Sequence, residues 1–130
     1  MYRFRTYRSL LLASLIMSTH ITASAQDNRV IRVARIVIDS AQLENYKAAL
    51  KEGIETAVKV EPGVLMLQAV SDREHPTHVT VFEIYADAAA YKSHIETPHF
   101  KKYKNTVKNM VKSLELTDVD PVAFAAKQNK

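Results

Sequence analysis

Two histidines in the second half of the chain, His94 and His99, have the clearest potential for chemistry. An imidazole titrates near neutral pH, so it can take up and return a proton under physiological conditions. Helical spacing places His94 beside Tyr91, and Thr97-Pro98 predicts that His99 lies at the start of a new helix. His94 is therefore the candidate general base, and His99 a candidate substrate-binding residue. The alternatives are a structural His94 that hydrogen-bonds the backbone and a solvated His99.

Glu83 is an acidic residue within an apolar strand pattern. It shares a strand face with Val81 and Tyr85, where an unpaired buried carboxylate would be costly. An antiparallel neighbour would let Arg32 or Arg35 pair with it across the ladder. The favoured interpretation of Glu83 is thus a structural ion pair.

Common metal and cofactor signatures are missing from the sequence. It has no H-x-H or H-E-x-x-H motif, and no cluster of carboxylates and histidines is visible, which argues against a dedicated metal site. With only two glycines, it has neither G-x-G-x-x-G nor a P-loop. We therefore expect no metal and no nucleotide cofactor. There are no cysteines, so stability must come from packing.

Residues 1–25 have the composition of a secretory signal. A positive start and a short apolar run precede an A-x-A cleavage site; the residues are Arg3, Arg5 and Arg8, then Leu10 to Met17, then Ala23-Ser24-Ala25. The alternative is a membrane anchor, but polar residues interrupt the run well before the roughly 20 apolar residues that a span needs. We expect cleavage after Ala25, a periplasmic or secreted protein and no membrane span in the mature chain.

The net charge of +4 comes largely from this segment. The chain has 18 basic and 14 acidic residues, and three of the basic residues lie in the predicted signal. The mature chain, with 15 basic residues against 14 acidic ones, is therefore nearly neutral. Its charge gives no support to binding of nucleic acid or of an anionic membrane.

The rest of the chain, residues 26–130, reads as a single domain with a core at about 29–119 and a tail at 120–130. The patterns predict strands at 29–38, 63–71, 78–85 and 114–119 and helices at 41–60, at 88–96 and from 98 onward. Asp39 with Gln42 offers a loose capping box, Glu61-Pro62-Gly63 ends the first helix, and Asp87 and Thr97 are N-caps.

This order of elements is typical of the ferredoxin-like α+β fold, a split β-α-β arrangement with a four-stranded antiparallel sheet. Helices in that fold cover one face of the sheet. Yet the first two strands alternate apolar residues on both faces, as with Val33 and Val37 opposite Ala34 and Ile36. A one-sided sheet would alternate apolar with polar residues. A partner sheet is the simplest cover, so we expect a homodimer.

An ordered series of motifs along the chain resembles the antibiotic biosynthesis monooxygenase family. The series is Glu61-Pro62-Gly63-Val64, then Phe82-Glu83-Ile84-Tyr85, then Asp87, Ala89, Ala90, Tyr91 and His94, then Thr97-Pro98-His99-Phe100. The resemblance spans about residues 29–116. It implies a dimeric α/β barrel with a pocket between sheet and helices, and an activity as a cofactor-independent monooxygenase of quinols or polyphenols. Other members of the family degrade haem, isomerise signalling sugars or have no known activity.

The chemistry implied by this resemblance needs an apolar pocket, a base for the phenolic proton and donors for the oxyanion. His94 would be the base, and a small aromatic or quinol-like ligand would lie against the residues Phe82, Tyr91, His99, Phe100 and Tyr103. The absence of tryptophan weakens a haem-degrading role, because family members with that activity rely on one. Two alternatives remain: a non-catalytic, stress-associated dimer that binds a small apolar ligand, and an isomerase of a small carbonyl compound.

Overall fold

A computed structural model describes residues 27–127; the predicted signal lies outside these residues. The elements are β1 (Val30–Ile38), α1 (Leu43–Val60), β2 (Val64–Ser71), β3 (His78–Tyr85), α2 (Ala88–Glu96), α3 (Pro98–Val107) and β4 (Val111–Asp118). A short 3-10 turn, Ser40–Gln42, precedes α1. In this part of the chain no helix combines the length and the hydropathy that crossing a bilayer requires.

The four strands form one antiparallel sheet in the order β2-β3-β1-β4. The two central strands, β1 and β3, are not consecutive in sequence, since α1 and β2 intervene. The predicted ferredoxin-like α+β fold is confirmed. In the register between β1 and β3, Arg32 lies opposite Glu83 and Ala34 opposite Val81, so these side chains share the face that the helices cover.

The main core lies between this face and the helices. It is built from apolar residues of β1 and β3 packed against α1 and the end of α3; its buried members are Ala34, Ile36, Ile38, Tyr46, Leu50, Val79, Val81 and Val107. A smaller cluster of Ala57, Val64 and Tyr85 lies at the other end. Alternation of β-branched residues in the strands and the apolar stripe of α1 together produce this arrangement.

The second face of the sheet carries Phe82, whose ring lies 5.9 Å from that of Phe124 in an edge-on contact. The guanidinium of Arg29 lies 5.3 Å from the centre of the same Phe124 ring. The segment after β4 therefore returns to this face and covers part of it. Val70 on this face remains 65% exposed. The sequence predicts that the sheet of a second subunit covers this face, and dimerisation stays a prediction.

Capping rules placed the helix starts well. Asp87 accepts a hydrogen bond from the Ala90 amide at 2.7 Å, and Thr97 accepts one from the Phe100 amide at 3.2 Å. The capping box predicted for Asp39 and Gln42 is wrong. Asp39 accepts from the Ala41 amide within the 3-10 turn, and α1 begins only after this turn.

The predicted start of the last strand, residue 114, is also wrong, because β4 begins at Val111. The helix predicted from residue 98 onward does not extend to Met110 and Val111. Instead, α3 ends at Val107 and the Met110 amide donates to the Val107 carbonyl in a turn. The Met110 carbonyl then accepts from the Asp39 amide at 2.8 Å, which draws the chain onto the edge of β1 three residues early.

Gly63 is required for close packing between the start of β2 and α2. A Cβ atom at this position would lie 2.5 Å from the Cβ of Ala90, well inside contact distance. Its backbone does not adopt a left-handed conformation, so the need for glycine here comes from this close packing and not from backbone geometry. The close approach fixes α2 beside the end of α1, where the candidate site lies.

Candidate active site

A cavity of about 110 Å³ lies between the sheet and all three helices. Strand residues form one side and helix residues the other. The strand side consists of Arg32, Ala34, Ile36, Leu67, Val81, Glu83, Tyr85, Leu114 and Leu116, and the helix side of Leu50, Gly53, Ile54, Tyr91, His94, Ile95, His99, Phe100, Tyr103 and Lys104. Most of the lining is apolar or aromatic, and a few polar groups converge on it, as in typical small-molecule sites.

Three side chains at the helix side form a hydrogen-bonded triad. Nδ1 of His94 lies 2.8 Å from Oε2 of Glu61, and Nε2 of His99 lies 2.6 Å from the same oxygen. The His94 side chain is 8% exposed and that of Glu61 11%. Because a carboxylate accepts hydrogen bonds and donates none, both facing ring nitrogens carry protons. These short bonds to a charged acceptor fix the two rings.

The triad leaves Nε2 of His94 as the nitrogen available for proton transfer. Among residues 27–127 nothing hydrogen-bonds this atom. Yet no fully buried side-chain nitrogen or oxygen in this part of the chain lacks a partner. Nε2 must therefore keep contact with accessible space, and His94 lines the cavity. A carboxylate on Nδ1 that leaves Nε2 free is the arrangement that orients a histidine base.

Three element ends produce this convergence. Glu61 follows the last residue of α1, His94 lies in the last turn of α2, and His99 lies in the first turn of α3. The Thr97 cap and Pro98 make α3 begin almost immediately after α2, which brings the two histidines together. Their rings are 6.3 Å apart.

Sequence reasoning gave Glu61 no role in the site and treated it as part of a helix terminator and of the motif Glu61-Pro62-Gly63-Val64. One signal was available: a carboxylate at a helix C-terminus opposes the helix dipole, which favours cations there. Such a residue needs compensation from nearby donors. In the structure the two imidazole N–H groups supply it.

The triad also has the composition of a metal site, contrary to the expectation that no carboxylate-histidine cluster exists. The ligand atoms of Glu61, His94 and His99 lie within 4.8 Å of one another, and two histidines with a carboxylate suit zinc or iron. However, the separations of 2.6 and 2.8 Å are those of hydrogen bonds. Ligands bound at about 2.1 Å to one tetrahedral ion lie roughly 3.4 Å apart. Metal independence stays a prediction.

Glu83 lies on the strand side of the cavity. The Tyr85 hydroxyl donates to its Oε2 at 3.0 Å, and burial raises the pKa of the Glu83 carboxyl. The predicted ion pair is wrong. Arg32 lies opposite Glu83 in the ladder, but its Nε donates to Asp118 of β4 at 2.6 Å and its guanidinium lies 4.2 Å from the centre of the Tyr91 ring. Arg35 pairs with Glu115 at 3.6 Å.

Aromatic rings surround His94. The ring of Phe100 lies 4.9 Å from it and that of Tyr85 5.3 Å. Of the predicted substrate-binding residues, Tyr91, His99, Phe100 and Tyr103 line the cavity. The structure does not place Phe82 there, because alternation along β3 turns it to the opposite face, against Phe124. The Tyr103 hydroxyl lies 3.0 Å from that of Tyr46, so Tyr103 also contacts the main core.

Comparison with known proteins assigns the chain to a family. The family model for antibiotic biosynthesis monooxygenases matches residues 29–106. The chain belongs to this family. No curated protein matches its sequence significantly.

Solved structures of similar sequence support the same assignment. A candidate antibiotic biosynthesis monooxygenase from Bacteroides thetaiotaomicron VPI-5482 is 55% identical with a TM-score of 0.75, and the match covers 78% of this chain and 97% of that one. A candidate monooxygenase from Lactobacillus acidophilus NCFM is 32% identical with a TM-score of 0.70, over 72% of this chain and 45% of that one. Both proteins are named as monooxygenases, which are oxidoreductases, and the similarity supports an activity of this class for the chain.

A more distant structure supports the fold alone. A candidate antibiotic biosynthesis monooxygenase from Nitrosomonas europaea is 18% identical with a TM-score of 0.69, and the match covers 75% of this chain and 93% of that one.

Proposed function

We propose that this protein is a cofactor-independent monooxygenase that oxidises a quinol-like or polyphenolic aromatic with dioxygen. The observation that carries the proposal is the hydrogen bond of 2.8 Å between Glu61 and Nδ1 of His94, in a side chain that lines a largely apolar cavity. It selects the tautomer whose Nε2 can take a proton, and it stabilises the imidazolium that results.

The reaction begins when Nε2 of His94 removes a phenolic proton. The electron-rich phenolate gives an electron to dioxygen, and a carbon-oxygen bond then forms at the ring to give a hydroperoxide. Loss of water leaves a new carbonyl or hydroxyl oxygen on the product. For a hydroquinone, the products are a hydroxyquinone and one water. The substrate loses four electrons and dioxygen gains four, so no external reductant is needed.

The cavity supplies what this chemistry requires from a protein. Its apolar lining limits access of water to the radical and peroxide species. His99 donates the second hydrogen bond to Glu61 and thereby holds the carboxylate against His94. Arg32, which lies over the Tyr91 ring, places a positive charge at the cavity, where it favours an anionic substrate.

We also propose that the protein acts after export, as a homodimer. The composition of residues 1–25 supports export to the periplasm or the medium. The apolar second face of the sheet, with Val70 largely exposed and Val33 and Val37 only partly buried, supports pairing with a second sheet.

Oxygen uptake tests the proposed reaction. Protein free of flavin and haem and dialysed against a chelator should accelerate oxygen consumption by at least one reduced quinone, and labelled dioxygen should place one oxygen atom in the product. Loss of activity on chelation, with recovery on adding a metal, would contradict metal independence. Turnover of a carbonyl compound without oxygen would favour the alternative that the protein is an isomerase. Tight binding of a small apolar ligand without turnover would favour the alternative of a non-catalytic ligand-binding protein.

A further inference from the structure

We infer that Glu83 is a specificity-determining residue that accepts a hydrogen bond from the second hydroxyl of a substrate with a single dihydroxy aromatic ring. This inference rests on the proposed function and names its substrate class more narrowly. In the reaction described above, His94 handles one hydroxyl group and Glu83 has no role.

The first argument is the free oxygen of Glu83. Tyr85 occupies Oε2, and among the described residues nothing hydrogen-bonds Oε1. As with Nε2 of His94, the absence of any fully buried polar atom without a partner means that Oε1 retains access to space. Glu83 lines the cavity, so Oε1 is available there to a ligand. A carboxylate left without a donor in an apolar site is costly, and a ligand hydroxyl would supply that donor.

The second argument is the position of Glu83 relative to His94. Glu83 lies on the strand side and His94 on the helix side of the same cavity. Tyr85 connects them: its ring is 5.3 Å from the His94 ring, while its hydroxyl bonds Glu83. Both groups thus contact the Tyr85 side chain from opposite sides of one cavity. A ring with two hydroxyl groups can therefore meet both.

The third argument is size. The cavity volume of about 110 Å³ is comparable with a protein cavity of roughly 150 Å³ that binds benzene. A single ring fits this space, whereas fused rings would have to project through the opening. Leu114 and Leu116, which are 44% and 51% exposed, lie on the strand side of the cavity and can contact a substituent that projects.

The test compares anaerobic binding of hydroquinone and 4-methylphenol, in which a methyl group of similar size replaces one hydroxyl. Calorimetry without oxygen measures binding separately from turnover. Wild-type protein should prefer hydroquinone by about 10-fold to 100-fold, the value of a hydrogen bond to a charged acceptor. Glu83→Gln should lower this preference about fivefold or more, and Glu83→Met, which has no acceptor, should abolish it. Glu55→Gln, an exposed residue of α1, is the matched control.

The outcomes separate this inference from the proposed function. Equal affinity for the two ligands, or a preference that Glu83→Gln leaves within twofold of wild type, would overturn the role of Glu83; oxygen uptake with a quinol would then still uphold the monooxygenase. The opposite result is also distinguishable: the protein prefers hydroquinone over 4-methylphenol, Glu83→Gln lowers this preference, and no quinol supports oxygen uptake. That result would uphold the binding inference and overturn the proposed reaction. Circular dichroism confirms that each variant is folded.

Discussion

Glu61 and His94 are separated by 33 residues, yet Oε2 of the first lies 2.8 Å from Nδ1 of the second. The carboxylate fixes the orientation of the imidazole ring and lies against the imidazolium that forms when His94 takes a proton. It is itself held by His99 at 2.6 Å. This contact therefore makes Glu61 a positioning residue of the proposed reaction, although it does not line the cavity.

Glu61→Gln should lower the rate at least about tenfold, and by up to about 10,000-fold, the loss seen when the orienting carboxylate of a serine protease becomes an amide. The substitution preserves shape and removes the charge. Nitrogen NMR of His94 provides a second readout, since wild-type protein should show the proton on Nδ1 and the variant a mixture of tautomers. Glu55→Gln is the control. An unchanged rate together with an unchanged tautomer would show that Glu61 does not position His94.

Gly63→Ala should destabilise the protein by about 1–3 kcal/mol, because the new methyl group would overlap Ala90 of α2. Gly53→Ala is the matched control. Its Cβ would lie 3.6 Å from Tyr103, an ordinary contact, and alanine favours the helix interior by up to about 1 kcal/mol. Urea denaturation measures both variants. Equal effects of the two substitutions would mean that the close approach of β2 and α2 does not determine the need for Gly63.

Glu83→Gln should stabilise the protein at neutral pH, and this gain should shrink as the pH falls. Burial raises the pKa of Glu83 in the folded protein, so folding favours its protonated form. Wild type therefore loses stability as the pH rises from the unfolded pKa through the folded one, whereas the glutamine variant does not. The difference in free energy of unfolding between the two, measured at pH 4 and pH 7, isolates this contribution. A gain that is constant across the range would contradict a raised pKa.

The exported protein should begin at Gln26 and should be a dimer. Intact mass of protein recovered from the exporting cell tests the predicted N-terminus, because cleavage follows Ala25; a species that keeps residues 1–25 would contradict it.

Light scattering at micromolar concentration tests whether the protein is a dimer. A monomer would mean that the segment carrying Phe124, which packs on Phe82, covers enough of the second face by itself.

The sequence was sufficient to predict the elements, apart from the start of β4, and most of the proposed cavity residues, but not the triad around Glu61. The caps at Asp87 and Thr97 were predicted correctly because each depends on residues within three positions. The role of Glu61 could not be read in this way, since its partners lie 33 and 38 residues away.

The pairing of the arginines was missed for a similar reason. The antiparallel pairing of β1 with β3 was predicted, with Arg32 or Arg35 as the partner of Glu83. However, β4 adds a strand on the other side of β1 and brings Asp118 to Arg32. An exposed carboxylate there can pair with the guanidinium at a lower desolvation cost than Glu83. Glu83 was thereby left with a free oxygen at the cavity.

The most direct test of the account is the rate of oxygen uptake by His94→Gln with the best quinol substrate. Glutamine keeps hydrogen bonding but cannot take the proton, so the rate per folded molecule should fall about 100-fold to 10,000-fold. His75→Gln, which changes an exposed histidine that does not line the cavity, should retain the wild-type rate. If His94→Gln oxidises the quinol as fast as wild type, His94 is not the base and the proposed mechanism is wrong.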